Sequence, residues 1–214
     1  MQGSAVLAAL EGPATELDQV LALLRASGVE RPEALPLGTG DRLLLALHRE
    51  LVGRDPEVIS TCPECGEVGA ALLSYDAVPP AAPRCALAGP GGGVREPTYA
   101  DLIDLPADAA AAGWELLARC AVGEPARALD PADLEEADDS LCGPLIVSCS
   151  GCGAEVAAEV DVERLVVAGL ARRAGERDAE IHLIAGAYGW PLETIEALPD
   201  ARRRRLATLV ADDR

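Results

Sequence analysis

The chain has 214 residues, half of them hydrophobic but only 2% aromatic, and 36 acidic residues against 18 basic ones give a formal charge of −18. That length allows one globular domain with a sizeable core, or two small lobes. The charge argues against nucleic-acid binding, which needs a net basic face, and the shortage of aromatics removes base-stacking modules. Phenylalanine and lysine are absent, so the core rests on Leu, Val, Ala and Ile, with Trp114, Trp190 and three tyrosines as the aromatics. No apolar run is long enough to span a bilayer, and no membrane span is expected. Met1 to Leu10 has no basic region before its short apolar stretch and reads as a poor signal peptide, so the expected location is cytoplasmic.

Residues 14–27 predict a helix, with Leu17, Val20, Leu21 and Leu24 at helical spacing and Gly28 as its C′ residue. After Pro32 and Pro36, a second helix is predicted from about Asp41, its candidate cap, to Leu51. Leu43, Leu44, Leu47 and Leu51 form its apolar face. His48 lies in that helix, where a lone histidine reads as a surface or core residue rather than a ligand. Residues 57–61 and 68–75 read as the strands of a hairpin whose tip is Cys62-Pro63-Glu64-Cys65-Gly66. Residues 76–97, rich in Pro, Gly and Ala, predict a loop with one irregular strand around Arg84 to Leu87, and Gly91-Gly92-Gly93 reads as a flexible turn. Residues 98–122 predict helix in two pieces broken at Pro106, with Trp114, Leu116, Leu117 and Cys120 lining the second. Residues 131–139 predict an exposed acidic helix opened by Asp130-Pro131. A second hairpin follows, with residues 145–148 and 154–160 flanking Cys149-Ser150-Gly151-Cys152-Gly153. The rest is helical, over about 161–188, 192–198 and 200–211, with breaks at Tyr188-Gly189-Trp190-Pro191 and Leu198-Pro199.

Two residues between cysteines let both thiolates point at one ion, and the following glycine permits the tight turn that aims amide N–H groups at the sulfurs. Two such knuckles complete a tetrahedral four-sulfur site, which suits zinc. Cys62, Cys65, Cys149 and Cys152 are therefore the candidate ligands of one structural Zn2+, a clamp across the intervening residues 66–148. Four thiolates close the shell, whereas a catalytic zinc keeps an open position. A thioredoxin-like redox pair belongs at a helix N-terminus beside a βαβ unit, and neither pair opens an amphipathic helix. Disulfides within each pair would be strained and suit an oxidising compartment. Cys85, Cys120 and Cys142 lack knuckle spacing, and Cys120 reads as a small core residue. The expected fold class is α+β: a small zinc-ribbon sheet formed by the two Cys-x-x-Cys hairpins, packed with N-terminal, inserted and C-terminal helices. The expected organisation is a helical segment 1–56, a ribbon 57–160 (knuckles 62–65 and 149–152) with a helical insert 98–141, and a helical tail 161–214. So small a sheet is marginal without its metal.

Catalytic motifs are missing: the sequence has no nucleophile elbow, no phosphate-binding glycine loop and no His-Glu-x-x-His. A Cys120–His182 or Cys85–His48 nucleophile pair has no supporting spacing, so no enzymatic role and no catalytic residue is expected. The run Arg202, Arg203, Arg204, Arg205 reads as a solvated helix face or as a basic docking patch for an acidic partner.

The closing segment combines a helix ending in Tyr188-Gly189-Trp190, a short helix ending in Leu198-Pro199 and an arginine-rich helix. Upstream stand Leu35-Pro36-Leu37-Gly38, Thr61-Cys62-Pro63-Glu64-Cys65-Gly66, Arg95-Glu96-Pro97-Thr98-Tyr99-Ala100-Asp101-Leu102 and the second knuckle. This combination resembles the T-even-phage-like baseplate hub assembly family of contractile phage tails and phage-tail-like contractile injection systems, over about residues 35–210. Two departures are the Gly/Pro-rich loop 76–94, where relatives look strand-like, and Gly189, where relatives often carry a polar residue. The resemblance implies a non-enzymatic part of an injection machine, cytoplasmic or incorporated in the particle. That part is either a baseplate hub component or a chaperone for hub or tape-measure assembly, and its partners are other baseplate, hub or tape-measure proteins. Tyr188, Trp190, Ile195 and Leu198 read as the core of a helical hairpin or, with Arg202 to Arg205 flanking, as a groove for a partner helix. A zinc-ribbon adaptor unrelated to such particles and a Cys-x-x-Cys thiol redox enzyme are the alternatives.

Overall fold

The computed structural model describes residues 6–11, 15–82, 85–87, 91–125 and 127–213. Its class is α+β, and it divides into two compact units, Met1–Val167 and Ala168–Arg214.

In the first unit, α1 (Glu16–Ala26) starts with a reciprocal capping box between Thr15 and Asp18 and buries Val20, Leu21, Leu23 and Leu24. Helix α2 (Leu37–Leu51) begins four residues before the predicted Asp41 start. The reason is long-range: Glu96 Oε1 accepts the Gly38 N–H at 2.9 Å and the Pro97 carbonyl accepts that of Leu37 at 3.0 Å. These acceptors satisfy first-turn donors that a local cap would otherwise serve. Asp41 is consequently not a cap. It lies buried inside the helix, where its carboxylate accepts the Leu141 N–H at 2.7 Å. The first turn of α2 is approached closely from two sides, and only glycine permits this. A Cβ on Gly38 would stand 2.2 Å from the Asp139 carbonyl oxygen, and one on Gly40 2.3 Å from the Tyr99 hydroxyl.

Three small sheets follow. Strands β1 (Glu57–Thr61) and β2 (Val68–Leu72) form the first knuckle hairpin, in register Glu57↔Leu72 to Thr61↔Val68. Strands β3 (Cys85–Leu87), β4 (Gly92–Arg95) and β5 (Ala121–Gly123) make an antiparallel sheet in the order β3-β4-β5. The predicted glycine turn is thus partly strand: Gly92 and Gly93 belong to β4, and a Cβ on Gly92 would lie 2.3 Å from the Val122 carbonyl oxygen. Strands β6 (Gly143–Ser148) and β7 (Glu155–Val160) form the second knuckle hairpin. The two knuckle hairpins remain separate two-stranded sheets rather than one ribbon sheet, with β1 lying against β7. Hairpins that converge at a four-sulfur tip need no shared ladder. Val58, Val156 and Ala158 fill the buried positions of their alternating patterns.

Helix α3 (Ala109–Cys120), N-capped by Asp108, and α4 (Ala132–Ala137) pack with β4 around Val94, Leu117, Cys120 and Ala137. Trp114, placed with this core by its spacing, is 56% exposed. The acidic 131–139 stretch is not wholly exposed either: Asp133 pairs with Arg127, and Asp139 is buried against Arg42.

The second unit comprises α5 (Val162–Tyr188) from residue 168 onward, α6 (Leu192–Glu196) and α7 (Asp200–Asp212). Gly189 ends α5 at φ +63°, and its N–H bonds the Ala185 carbonyl. Ile184, Ile195 and Ala207 form the core, with Ile181, Trp190, Leu198 and Leu206 packed against it.

Candidate metal centre

The two knuckles repeat one backbone design. In the first, Cys62 N–H donates to the Glu67 carbonyl at 2.8 Å and Gly66 N–H to the Cys62 carbonyl at 2.9 Å. In the second, Cys149 N–H donates to the Ala154 carbonyl at 2.8 Å and Gly153 N–H to the Cys149 carbonyl at 2.9 Å. Gly66 and Gly153 hold φ +73° and +77°, a left-handed conformation that favours glycine. Each hairpin therefore presents its two sulfurs on one side of a tight turn.

The fold brings the four sulfurs together across the chain. The Sγ atoms of Cys62, Cys65, Cys149 and Cys152 all lie within 4.8 Å of one another. Cys62 stands 3.7 Å from Cys152, and Cys65 stands 3.6 Å from Cys149, so sulfurs of opposite knuckles lie against each other. A tetrahedron with metal–sulfur bonds of about 2.3 Å has edges of about 3.8 Å. The sulfurs are thus spaced as ligands of one ion and too far apart for disulfides. All four are free thiols. The donor set fits a structural metal closed by thiolates and supplies no position for a substrate.

Local electrostatics prepares the sulfurs for this. N–H groups of Cys152 and Gly151 point at Cys149 and lower its thiol to about 7. Cys65 receives the Glu67 N–H, which favours its thiolate, but the neighbouring sulfurs of Cys152 and Cys149 push it up to about 12. Four thiolates in so small a volume repel one another, and a divalent cation removes that repulsion.

The other cysteines stand apart from this group. Cys120 is fully buried in the α3 core, and burial pushes its thiol up to about 11. Cys142 is exposed, yet desolvation of its thiol and the nearby Asp41 carboxylate push it up to about 12. Neither has the lowered pKa of an activated nucleophile. His48 is buried, with Nδ1 2.5 Å from the Tyr75 hydroxyl. That hydroxyl donates to the Arg54 carbonyl at 2.7 Å, so it accepts from His48 and the ring has a positioning role. His182 is exposed on α5.

The tail residues separate into two groups. Tyr188 stacks on Trp190 with ring centroids 5.2 Å apart; Trp190 packs on the core while Tyr188 stays partly exposed. Within the arginine run, Arg202, Arg204 and Arg205 are exposed, but Arg203 is 1% exposed. Its Nε donates to Glu180 at 2.9 Å and its Nη2 to Asp200 at 2.6 Å. Arg203 therefore cannot belong to a docking patch. It points inward because α7 places it on the face of Ala207 and Val210.

Sequence reasoning missed a second chemical feature of the first unit. Burial pushes the Asp41 carboxyl up to about 6 and that of Glu163, at the start of α5, up to about 7, with each also raised by nearby acids. Both Asp41 and Tyr99 are almost wholly buried. No local pattern marks Asp41, because the elements that cover it come from residues 98–102 and 141. An apolar groove of about 460 Å³ between α2 and residues 75–81 is rimmed by Arg42 and Arg49. Both arginines are already paired, with Asp139 and Asp76, so the groove offers no net charge to select a ligand. Among the described residues, no helix is long and apolar enough to cross a membrane. No family model, curated protein or solved structure matches this chain.

Proposed function

We propose that this protein is a non-enzymatic structural or assembly component of a phage-tail-like contractile injection system, stapled by one structural zinc ion. The observation that carries the reading is the meeting of two knuckles across the chain, with Cys65 and Cys149, 84 residues apart, at 3.6 Å. Together with the Tyr188–Trp190 break and the arginine-bearing last helix, it supports the combination of motifs on which the resemblance rests. Four closed thiolates, with Cys120 buried and its thiol pushed upward, support a role without a thiol nucleophile. Zinc is the ion of choice because an all-sulfur tetrahedron suits it and excludes magnesium or calcium.

The test is quantitative mass spectrometry of purified particles and of the free cytosolic pool from the native host, with metal analysis of the purified chain. Stoichiometric presence in particles makes it a hub or baseplate subunit. Absence from particles with abundance in the free pool makes it a chaperone of hub or tape-measure assembly. Complete, contractile particles from a strain lacking the gene would overturn the assignment. A second reading, a zinc-ribbon adaptor unrelated to such particles, is favoured by one observation: the first hairpin leaves an aliphatic face exposed, at Ile59, Val68 and Leu72. A genome neighbourhood without sheath and tube genes would favour that reading.

A further inference from the structure

The first knuckle hairpin is apolar on both faces. Val58 is buried toward the interior, while Ile59, Val68 and Leu72 are 62%, 63% and 61% exposed. The register places these three on one face: Ile59 pairs with Ala70, Thr61 with Val68 and Glu57 with Leu72. Three large aliphatic side chains held side by side on a rigid hairpin form a contiguous patch, unlike scattered surface leucines. Among the described residues, strand β2 is hydrogen-bonded to β1 alone, which leaves it a second edge. That edge lacks the usual protection, since β2 (Val-Gly-Ala-Ala-Leu) carries no lysine and no proline.

Charge identifies what would cover it. Residues 55–82 contain no lysine or arginine, and residues 128–163 contain none either. Glu57, opposite Leu72, and Glu64 in the knuckle are exposed at the two ends of the patch. A second copy of the chain would bring those carboxylates against their own counterparts, and nucleic acid would be repelled.

We propose that this face docks an extended, basic segment of a partner protein, added along the free edge of β2. Its aliphatic side chains on the patch face would lie beside Val68 and Leu72, and arginines or lysines at its two ends would face Glu57 and Glu64. Main-chain hydrogen bonds supply affinity in this mode, and the patch with its acidic rim supplies selection. The inference does not depend on assignment to an injection machine.

The test uses the full-length, zinc-supplemented chain, isotope-labelled for NMR, and two synthetic peptides of roughly ten residues, long enough to cover one strand. Both alternate valine with threonine through the core, and one carries arginines at its ends where the other carries glutamates. The arginine-ended peptide is expected to give saturable amide shifts centred on residues 57–61 and 68–72, with affinity falling as salt rises. The triple variant Ile59→Thr, Val68→Thr, Leu72→Thr keeps strand propensity on an exposed face and is expected to weaken binding at least tenfold. The variant Glu57→Lys, Glu64→Lys is expected to shift preference toward the glutamate-ended peptide. Equal binding of both peptides to the native chain overturns the proposal. So do shifts spread over the acidic surface that survive in the triple variant. Concentration-dependent dimerisation of the native chain in sedimentation, abolished in the triple variant, would give the face to a second copy and overturn it too.

Discussion

Residues 168–214 carry eight arginines and eight acidic residues, so the whole formal charge of −18 resides on residues 1–167. Both units lack a large aromatic core, yet different chemistry pins each. The first joins distant segments by four sulfurs and by reaches such as Glu96 to Gly38. The second gathers its charges inward, with Arg173 bonded to Glu180 at 3.1 Å and Arg203 held by Glu180 and Asp200. A staple of thiolates works from outside the aliphatic core, whereas an ion-pair network works from within it. The two units should therefore respond to different insults.

The largest contrast is expected from metal removal. Structural zinc contributes on the order of 10 kcal/mol to small domains. Chelation, or Cys149→Ser, is expected to abolish hydrogen-exchange protection in β1, β2, β6 and β7 while the Ile184 and Ile195 amides stay protected. Protection retained in both hairpins of Cys149→Ser would show that the knuckles do not share an ion. Equal loss in both units would show that the staple holds the whole chain.

Next comes Arg203→Met, which leaves Glu180 facing the interior without its main partner. Removing one member of a buried pair costs about 3–5 kcal/mol. Glu180 keeps Arg173 at 3.1 Å and Asp200 is largely exposed, so the lower end is expected. Thermal unfolding monitored by Trp190 fluorescence reads this directly. A loss no larger than that of Arg205→Ala would show the network to be dispensable.

How legible these features were depends on the distance over which each is built. The knuckles and the helices of the tail are local, written in Cys-x-x-Cys-Gly spacing, aliphatic periodicity and Gly or Pro breaks. The α2 start escapes local reading because its cap is a carboxylate 58 residues away. Gly92 and Gly93 read as a turn in sequence because their function is to let β4 approach β5, which shows only once the strands are paired. Arg203 looks like its neighbours because four consecutive arginines are alike until a helix turns one of them inward. The site is thus readable to the level of its four ligands, and the groups packed around it are not.

An effect of similar size separates the units by pH. Burial raises Asp41 to about 6, so this group favours the folded state below its unfolded pKa near 4, and that contribution is lost as pH rises through 6. The loss is on the order of 3 kcal/mol for this group. In the second unit Asp200 moves the other way: burial opposes it, but Arg203 and Arg173 lower it overall. Its contribution is present above the unfolded pKa and lost as pH falls. Asp101 shows that pairing, not location, decides the sign: despite the raising effect of burial, Arg95 and Thr98 bring it down to about 2 in the first unit. Asp41→Asn keeps a carbonyl oxygen for the Leu141 N–H and removes the charge. Its α2 amides are expected to lose less protection than the native chain between about pH 4 and pH 8. An unchanged difference between native and variant across that range would show that Asp41 does not titrate there.

The smallest expected effect on stability is Arg202→Glu with Arg205→Glu. Both side chains are exposed on α7, no ion pair joins either to a described residue, and surface substitutions of this kind stay within about 0.5 kcal/mol each. Reversing two charges leaves the second unit folded but converts its balanced charge to a net acidic one. If the exposed arginines guide an acidic partner to this unit, incorporation into particles, or recovery of complete particles, falls while the melting temperature holds. Arg203 cannot serve in this experiment, because its reversal would break the buried contacts to Glu180 and Asp200 and confound docking with unfolding. Normal particle yield from the double reversal would return Arg202 and Arg205 to a purely solvating role. The neutral charge of this unit would then reflect only the arginines its interior network requires and those that keep its surface hydrated.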